Sequence, residues 1–533
     1  MCRCSTPARS YLYNDMISQL AFLQQLVFVN CKFHDIPKDA FRGLHLLEVM
    51  LIDGANLLGH VDPEFASHLP KLRVLEIIRS RVTFLPPLCG SDNLRTLNVS
   101  YNSIADLDHA GINCVQRPLS KLEILDVNYN SISSLPAWLG ASVPGLVRLS
   151  AGDNAVSEVG REFCRGLPDL KFLDLSVNAL RDPARVRLSN CTQLRILALG
   201  SNALGAVPPG ALESMLYVQN LYLFGMGLRD GVWDKLAHLE FLNVLELQNN
   251  SLTTVPPLVL REFPNLAFLN LSRNAIRFLP KKAFVSQYRL KVLDLSSNGM
   301  SNLPRQAFSN LLSLEELTLA NNSITDVDQT TFTGLRTLVK LNVSDNFLRF
   351  IPKQSFATLT SLEVLDLSRN LLTTISDSAF ARMGALVRVL LAENRLRSLP
   401  SMSGLPELEE VDLGRNNLTS LPASMFTGLR KLRRVRLRGN GFTSLSTKTF
   451  HDCVALRHLD LSHNRLAALS ATHFLNVLRL DHLDLSHNAI LSIGRCGSVG
   501  SGVGGRWGGA VDFSHDAILS TGSCGCCGRQ AQR

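Results

Sequence analysis

Leu362-Glu-Val-Leu365-Asp-Leu367-Ser-Arg-Asn370-Leu-Leu372 is the stretch on which the fold turns. Leu365 and Leu367 stand two residues apart, so on an extended backbone both side chains leave the same face. The pattern Leu-x-x-Leu-x-Leu-x-x-Asn-x-Leu then recurs in both directions. Its Asn stands at 102, 130, 154, 178 and 202, gives way to Met226, and returns at 250, 274, 298, 322, 346, 370, 394, 416, 440, 464 and 488. From 154 to 394 every step is 24 residues. Ser80 and Cys31 fill the slot in weaker upstream units, with an irregular unit around Leu46–Leu57 between them. About 20 units cover residues 20–493.

A chain of this length would ordinarily divide into several domains, but self-similar units stack into one body in which each touches its neighbours. Each Leu-x-Leu centre reads as a short strand paired in parallel with the next, roughly 4.8 Å away, which gives an arc of about 100 Å. The Asn follows where the backbone turns, and its amide can satisfy backbone groups of adjacent turns as a buried ladder. Phe284, Phe308, Phe332, Phe356, Phe380, Phe426, Phe450 and Phe474 each lie ten residues after their Asn, which reads as an aromatic spine on the far side. That side is bulkier than the strands, so the stack must curve with its strands on the concave face. The expected fold is a curved α/β solenoid of about 20 coils with a parallel concave sheet and little regular helix. Residues 1–19 read as an N-terminal remnant or cap, and 494–533 as a Gly- and Cys-rich degenerate tail. In that tail Asp512–Gly525 repeats Asp484–Gly497 at an offset of 28, with ten of fourteen positions identical.

Composition bounds the function. Lys and Arg number 54 against 45 Asp and Glu, a net +9 scattered over a long chain, which reads as a solvated surface and not as a nucleic-acid or membrane patch. No nucleic acid is expected as a partner. Neither a phosphate-cradling glycine loop, a Gly-x-Ser-x-Gly elbow nor a His-Glu-x-x-His pair occurs, so the chain reads as no enzyme, with no cofactor and no metal. His458, His463, His482 and His487 recur at the repeat step and read as exposed strand positions, not zinc ligands. The aspartates between strand leucines (Asp126, Asp174, Asp294, Asp366, Asp412, Asp460, Asp484) read as an edge feature of the repeat. No apolar run of signal-peptide type precedes Asp15, and no stretch reaches the roughly 18 apolar residues of a membrane span. Either the chain is soluble or both ends of a longer receptor are missing.

A 24-residue unit with Phe in its back half resembles the leucine-rich repeats of animal extracellular receptors, and the solenoid expected is then their horseshoe. One irregular region narrows the likeness. Between Asn102 and Asn130 the step is 28, and the unit reads Leu-Asp-His-Ala-Gly-Ile-Asn-Cys114. Leu-Pro-Pro-Leu-Cys89 precedes it and Leu125-Asp-Val-Asn-Tyr-Asn130 follows. This resembles the N-terminal part of the long invertebrate Toll receptors. The resemblance implies an extracellular or cell-surface ectodomain for innate immunity or development. It would bind a protein ligand or a second receptor chain and act as a homodimer. Such receptors continue into a cysteine-rich cap, a membrane helix and a signalling domain that this sequence does not show. A cell-adhesion or matrix repeat protein, with no signalling partner, is the alternative.

Cys89 and Cys114 bracket the inserted loop and are the disulfide candidates. Cys31 in the Asn slot, Cys164 in the Phe column, and Cys191 and Cys453 at leucine positions read as structural core thiols, although Cys164 and Cys191 lie on adjacent coils and could pair. Cys2 and Cys4 read as remnants of a cap, and Cys496, Cys524, Cys526 and Cys527 lack zinc spacing. Glycosylation signals stand at Asn98, Asn190, Asn249, Asn270, Asn321, Asn342 and Asn417. Those at 98, 270 and 342 lie between inward leucines and would place sugars on the strand face.

Departures from the repeat on that face mark candidate contacts. Leu432-Arg-Arg434-Val-Arg436-Leu-Arg438 sets three arginines (434, 436 and 438) side by side on the strand face, with Arg388 and Arg415 nearby. Like charges this close cost stability unless answered, so they read either as a site for an anionic partner or glycan or as plain solvated surface. Tyr222 and Phe224 face outward in the unit that lost its Asn to Met226, and serve either contact or local packing.

Overall fold

The computed structural model describes residues 2–3, 12–15, 17–57, 61–160, 162–490, 492–494 and 510–512. The architecture is a parallel-sheet β-solenoid of about 19 coils with little helix. Two compact units make up the chain: Met1–Thr253 with Leu258–Leu269, and Thr254–Pro257 with Asn270–Arg533. In the first unit, Leu97, Leu125, Leu149, Leu173, Leu197, Leu221 and Leu245 pair strand to strand in one register, all buried. In the second, Leu293, Leu317, Leu341, Leu365, Val389, Val411, Val435, Leu459 and Leu483 do the same. Most are flanked by partly exposed residues on the opposite face, as period-two alternation requires, with Ser150 and Ala198 buried exceptions.

The Asn column is a ladder of amides. Asn322 Nδ2 donates to the carbonyls of Leu295 and Leu319, both at 3.0 Å, and its Oδ1 accepts from the Met300 N–H at 3.1 Å. The same triad of bonds recurs from coil to coil, for instance at Asn154, Asn202, Asn370 and Asn464. At Met226 it lapses. The equivalent acceptor for the Leu204 N–H is missing, while Met226 itself stays buried.

Just before each ladder position the backbone turns left-handed. Tyr101, Tyr129, Val177, Asn249, Arg369, Arg415 and His463 have φ between 51° and 57°. For most L residues that region is costly, and for β-branched Val177 especially so.

Behind the strands the units differ. In the second, Phe284, Phe308 and Phe332 stack with ring centroids 6.2 and 6.3 Å apart, and Phe356 follows at 5.9 Å, all buried. In the first, the column begins with buried Phe41 and Phe65 but then holds Gly140, Cys164, Leu188, Leu212 and Leu236. Gly140 backs onto Gly166 of the next coil so closely that a Cβ there would meet its Cα at 2.4 Å. Helix is confined to single turns such as Val232–Leu236. Among the described residues no helix is long and apolar enough to cross a membrane.

Candidate functional site

The strand face of the second unit carries the arginines, and the register decides what each one meets. Strands Arg388–Leu390, Glu410–Asp412 and Arg434–Arg436 lie side by side. Glu410 sits between the two arginine strands and takes hydrogen bonds from Arg436 at 2.7 Å and Arg434 at 3.4 Å. Asp412 takes a second bond from Arg436 at 3.2 Å. Arg415 pairs with Glu393 at 3.2 Å, and Arg438 reaches the His463 ring at 3.2 Å. The close arginines are therefore answered largely within the chain, so their mutual repulsion does not by itself call for an anionic partner. Arg388 is exposed, and among the described residues no carboxylate lies within 4.0 Å of it. A hollow of about 300 Å³ opens beside it, lined by Arg388, Leu390, Ala392, Glu410, Asp412 and Arg436 among others.

His458 and His482 face each other across paired strands with centroids 6.1 Å apart. His463 and His487 lie on the left-handed turn, not on strands as expected, and their rings stack at 4.0 Å. Burial first, then neighbouring positive groups, holds His458 and His463 below the ordinary imidazole range. Among the described residues no cluster of three or more His, Cys, Asp or Glu could hold a metal.

In the first unit Tyr222 and Phe224 are half-buried. The Phe224 ring lies over Gly200, where a Cβ would come within 2.5 Å of it, so the Gly200 position leaves room for the ring. Asn220 reaches the Tyr222 hydroxyl at 3.5 Å. Arg148 stacks on Phe172 at 3.7 Å. Burial, and then the Asp126 carboxylate, raise Glu76 above the usual carboxylate range; burial does the same for Asp126. The repeat aspartates have a structural task, because their Oδ1 accepts the N–H two residues on, as Asp366 does from Ser368 at 2.9 Å.

Cys89 and Cys114 form a disulfide with Cα atoms 5.3 Å apart. Cys164 and Cys191 also form one, at 5.0 Å, and Cys31 is disulfide-bonded too. Cys164 and Cys191 therefore take the pairing left open in the sequence, and Cys31 is not the free core thiol expected. Adjacent coils bring the first two together, and an oxidised pair is then the lower-energy arrangement in an oxidising medium. Cys453 is a free, buried thiol whose burial pushes its pKa up to about 12. Cys4, Cys496, Cys524, Cys526 and Cys527 lie outside the described residues, as does the side chain of Cys2. Asn190, Asn249, Asn321 and Asn417 are exposed. Asn98, Asn270 and Asn342 are half-buried on the strand face, where their Oδ1 accepts the N–H two residues on.

Reading single units missed the ion pairs. Glu410 stands 24 residues before Arg434, Glu409 before Arg433 and Glu407 before Lys431, and each couple is joined. Aligning neighbouring coils column by column would have exposed them.

The family model described as "Leucine rich repeat" matches residues 240–299, 288–346, 336–396, 384–442, 406–466 and 455–497. Lumican of Oryctolagus cuniculus is 30% identical over 148 residues, which is 28% of this chain and 71% of that protein. Toll-like receptor 7 of Drosophila melanogaster is 27% identical over 171 residues, 29% of this chain but 12% of that receptor. Among solved structures, a leucine-rich-repeat protein of Leptospira interrogans superposes with TM-score 0.60 at 24% identity, covering 78% of this chain and 96% of that one. The Toll–Spatzle complex of Drosophila gives 0.54 at 21% identity, covering 91% of this chain and 57% of that one. These likenesses to solved structures concern the fold. With its asparagine ladder, its register of inward leucines and these relatives, the chain belongs to the leucine-rich-repeat family.

Proposed function

We propose that this chain is the extracellular ligand-binding or receptor-dimerising region of a Toll-like innate-immune or developmental receptor, and that it acts by binding and not by catalysis. The observation that carries this reading is the inserted coil closed by Cys89–Cys114, with Cys164–Cys191 close behind it. Such bonds persist in oxidising compartments and are rare in the cytosol. The Toll-like pattern around that coil and the similarity to Toll-like receptor 7 support the narrower assignment. The partner is a protein ligand or a second copy of the chain. Seven sequons would carry glycans, leaving the strand face beyond Asn342 clear of sugar between its leucines. Sequencing the mature transcript across both ends tests the reading. A signal peptide upstream, with a membrane helix and signalling domain downstream, is the expected result.

The second reading is a cell-adhesion or matrix protein, favoured by an alignment that spans 71% of lumican. A transcript that encodes a lipid-anchor signal, or a secreted chain with no signalling domain, would establish it and overturn the first.

A further inference from the structure

We propose that the hollow beside Arg388 is a carboxylate-binding subsite that takes an Asp or Glu side chain of a protein partner. The inference rests on the binding role above and names the chemistry of one contact within it. Its starting point is a substitution inside the repeat. In the neighbouring coils an aspartate on the outer face of the strand holds the amide two residues on: Asp366 Oδ1 accepts from the Ser368 N–H at 2.9 Å, and Asp412 Oδ1 from the Gly414 N–H at 3.0 Å. Asp294, Asp460 and Asp484 do likewise for Ser296, Ser462 and Ser486. In the coil between Asp366 and Asp412 that position is Leu390. No carboxylate is supplied there, and the Ala392 N–H has no acceptor among the described residues.

The same coil holds Arg388, whose guanidinium also has no carboxylate within 4.0 Å among the described residues. The neighbouring acids cannot serve it, because Glu410 and Asp412 are drawn toward Arg434 and Arg436. One hollow of about 300 Å³ is lined by Arg388, Leu390 and Ala392, together with the acids Glu393, Glu410 and Asp412, each of which is already paired with another arginine. An incoming carboxylate would accept from the Ala392 N–H as Asp366 and Asp412 accept from theirs, and from Arg388 in a charge-assisted bond. The ligand restores the acid that the repeat omitted. Of the five arginines legible in the sequence, the structure assigns recognition to Arg388, because the other four already have partners.

Titration of the full chain, labelled with ¹⁵N-alanine, tests this with the tripeptides acetyl-Gly-Asp-Gly-amide and acetyl-Gly-Asn-Gly-amide. The Asp peptide is expected to move the Ala392 amide resonance and saturate, and the Asn peptide to bind about tenfold more weakly or worse. Arg388→Gln, an exposed site whose change leaves the core intact, should weaken the Asp peptide by a similar factor, and Arg438→Gln, whose partner is the His463 ring outside the hollow, should not. Leu390→Asp builds the missing carboxylate into the chain, so it should shift the Ala392 resonance by itself and abolish binding. Equal binding of the two peptides, no movement at Ala392, or indifference to Arg388→Gln would overturn the subsite. Tighter binding of acetyl-triglycine with a free carboxyl terminus would overturn its assignment to a side chain. None of these outcomes depends on the transcript, so the subsite and the receptor reading can fail separately.

Discussion

Phe284, Phe308, Phe332 and Phe356 run behind the strands of one unit as a continuous stack, whereas the same column in the other unit runs Gly140, Cys164, Leu188, Leu212. On their strand sides the two units share inward leucines, parallel register and the asparagine ladder. The back half of the repeat is where they diverge. One fills it with large rings that bury much area and prefer offset contacts. The other draws coils together over facing glycines and cross-links them through Cys89–Cys114 and Cys164–Cys191. A single repeat can thus be held by packing or by covalent closure, with the strand face left free to vary.

The sharpest way to break the comparison is to remove a ring. Phe332→Ala takes away a fully buried side chain stacked on both sides, and should cost about 3–5 kcal/mol. Hydrogen exchange should rise over residues 284–356 and hold steady over 97–198. Exchange rising equally in both stretches would mean that the coils do not respond locally. Replacing Cys164 and Cys191 together with Ala should cost roughly 3 kcal/mol by the loop they close, with loosening confined to the first unit. Mild reductant should produce the same pattern, and protection lost first around the phenylalanines would contradict it.

Smaller effects sharpen the ladder. Asn322→Ala strands the carbonyls of Leu295 and Leu319 and should cost about 1–3 kcal/mol. Met226→Asn should act in the opposite direction, gaining about 1 kcal/mol by accepting from the Leu204 N–H. A drop in melting temperature for Met226→Asn would show that packing around Met226 outweighs the bond. Smallest is Val177→Asn, which relieves a β-branched residue from φ 53° and should add about 0.5–1 kcal/mol. An unchanged melting temperature would place the strain elsewhere.

Much of this was legible in the sequence because one period fixes so much. Leu365 and Leu367 two apart, an Asn three later and a Phe ten beyond it determine strand, turn and spine. What escaped was lateral. Whether Arg434 is a free charge depends on Glu410 one coil away, whereas the sequence leaves the Cys164–Cys191 pairing open, because it already makes those two coils adjacent. The left-handed turn before each Asn escaped too, because Tyr101, Val177, Arg369 and His463 share no side-chain chemistry that would announce a backbone state. Phe224 resisted for a different reason. Its ring packs over Gly200, and an absent side chain leaves no mark in a pattern of hydrophobic residues.

The asparagine ladder also bears on how such a chain can change length. The Asn346 side chain bonds to its own coil and the one before, reaching Leu319, Val343 and the Ile324 N–H. Excising residues 323–346 as a block would bring the next coil onto the previous one with every amide again in reach of two carbonyls and one N–H. Excising one residue fewer would leave a 25-residue coil, a length already accommodated between Met50 and Leu75, both buried and in register. Gene duplication and loss can therefore lengthen or shorten the molecule in whole coils with little effect on its interior. The 22-residue step from Asn394 to Asn416, whose amide still holds Leu391, Leu413 and Leu396, shows how much slack a coil's back can absorb before that grammar fails.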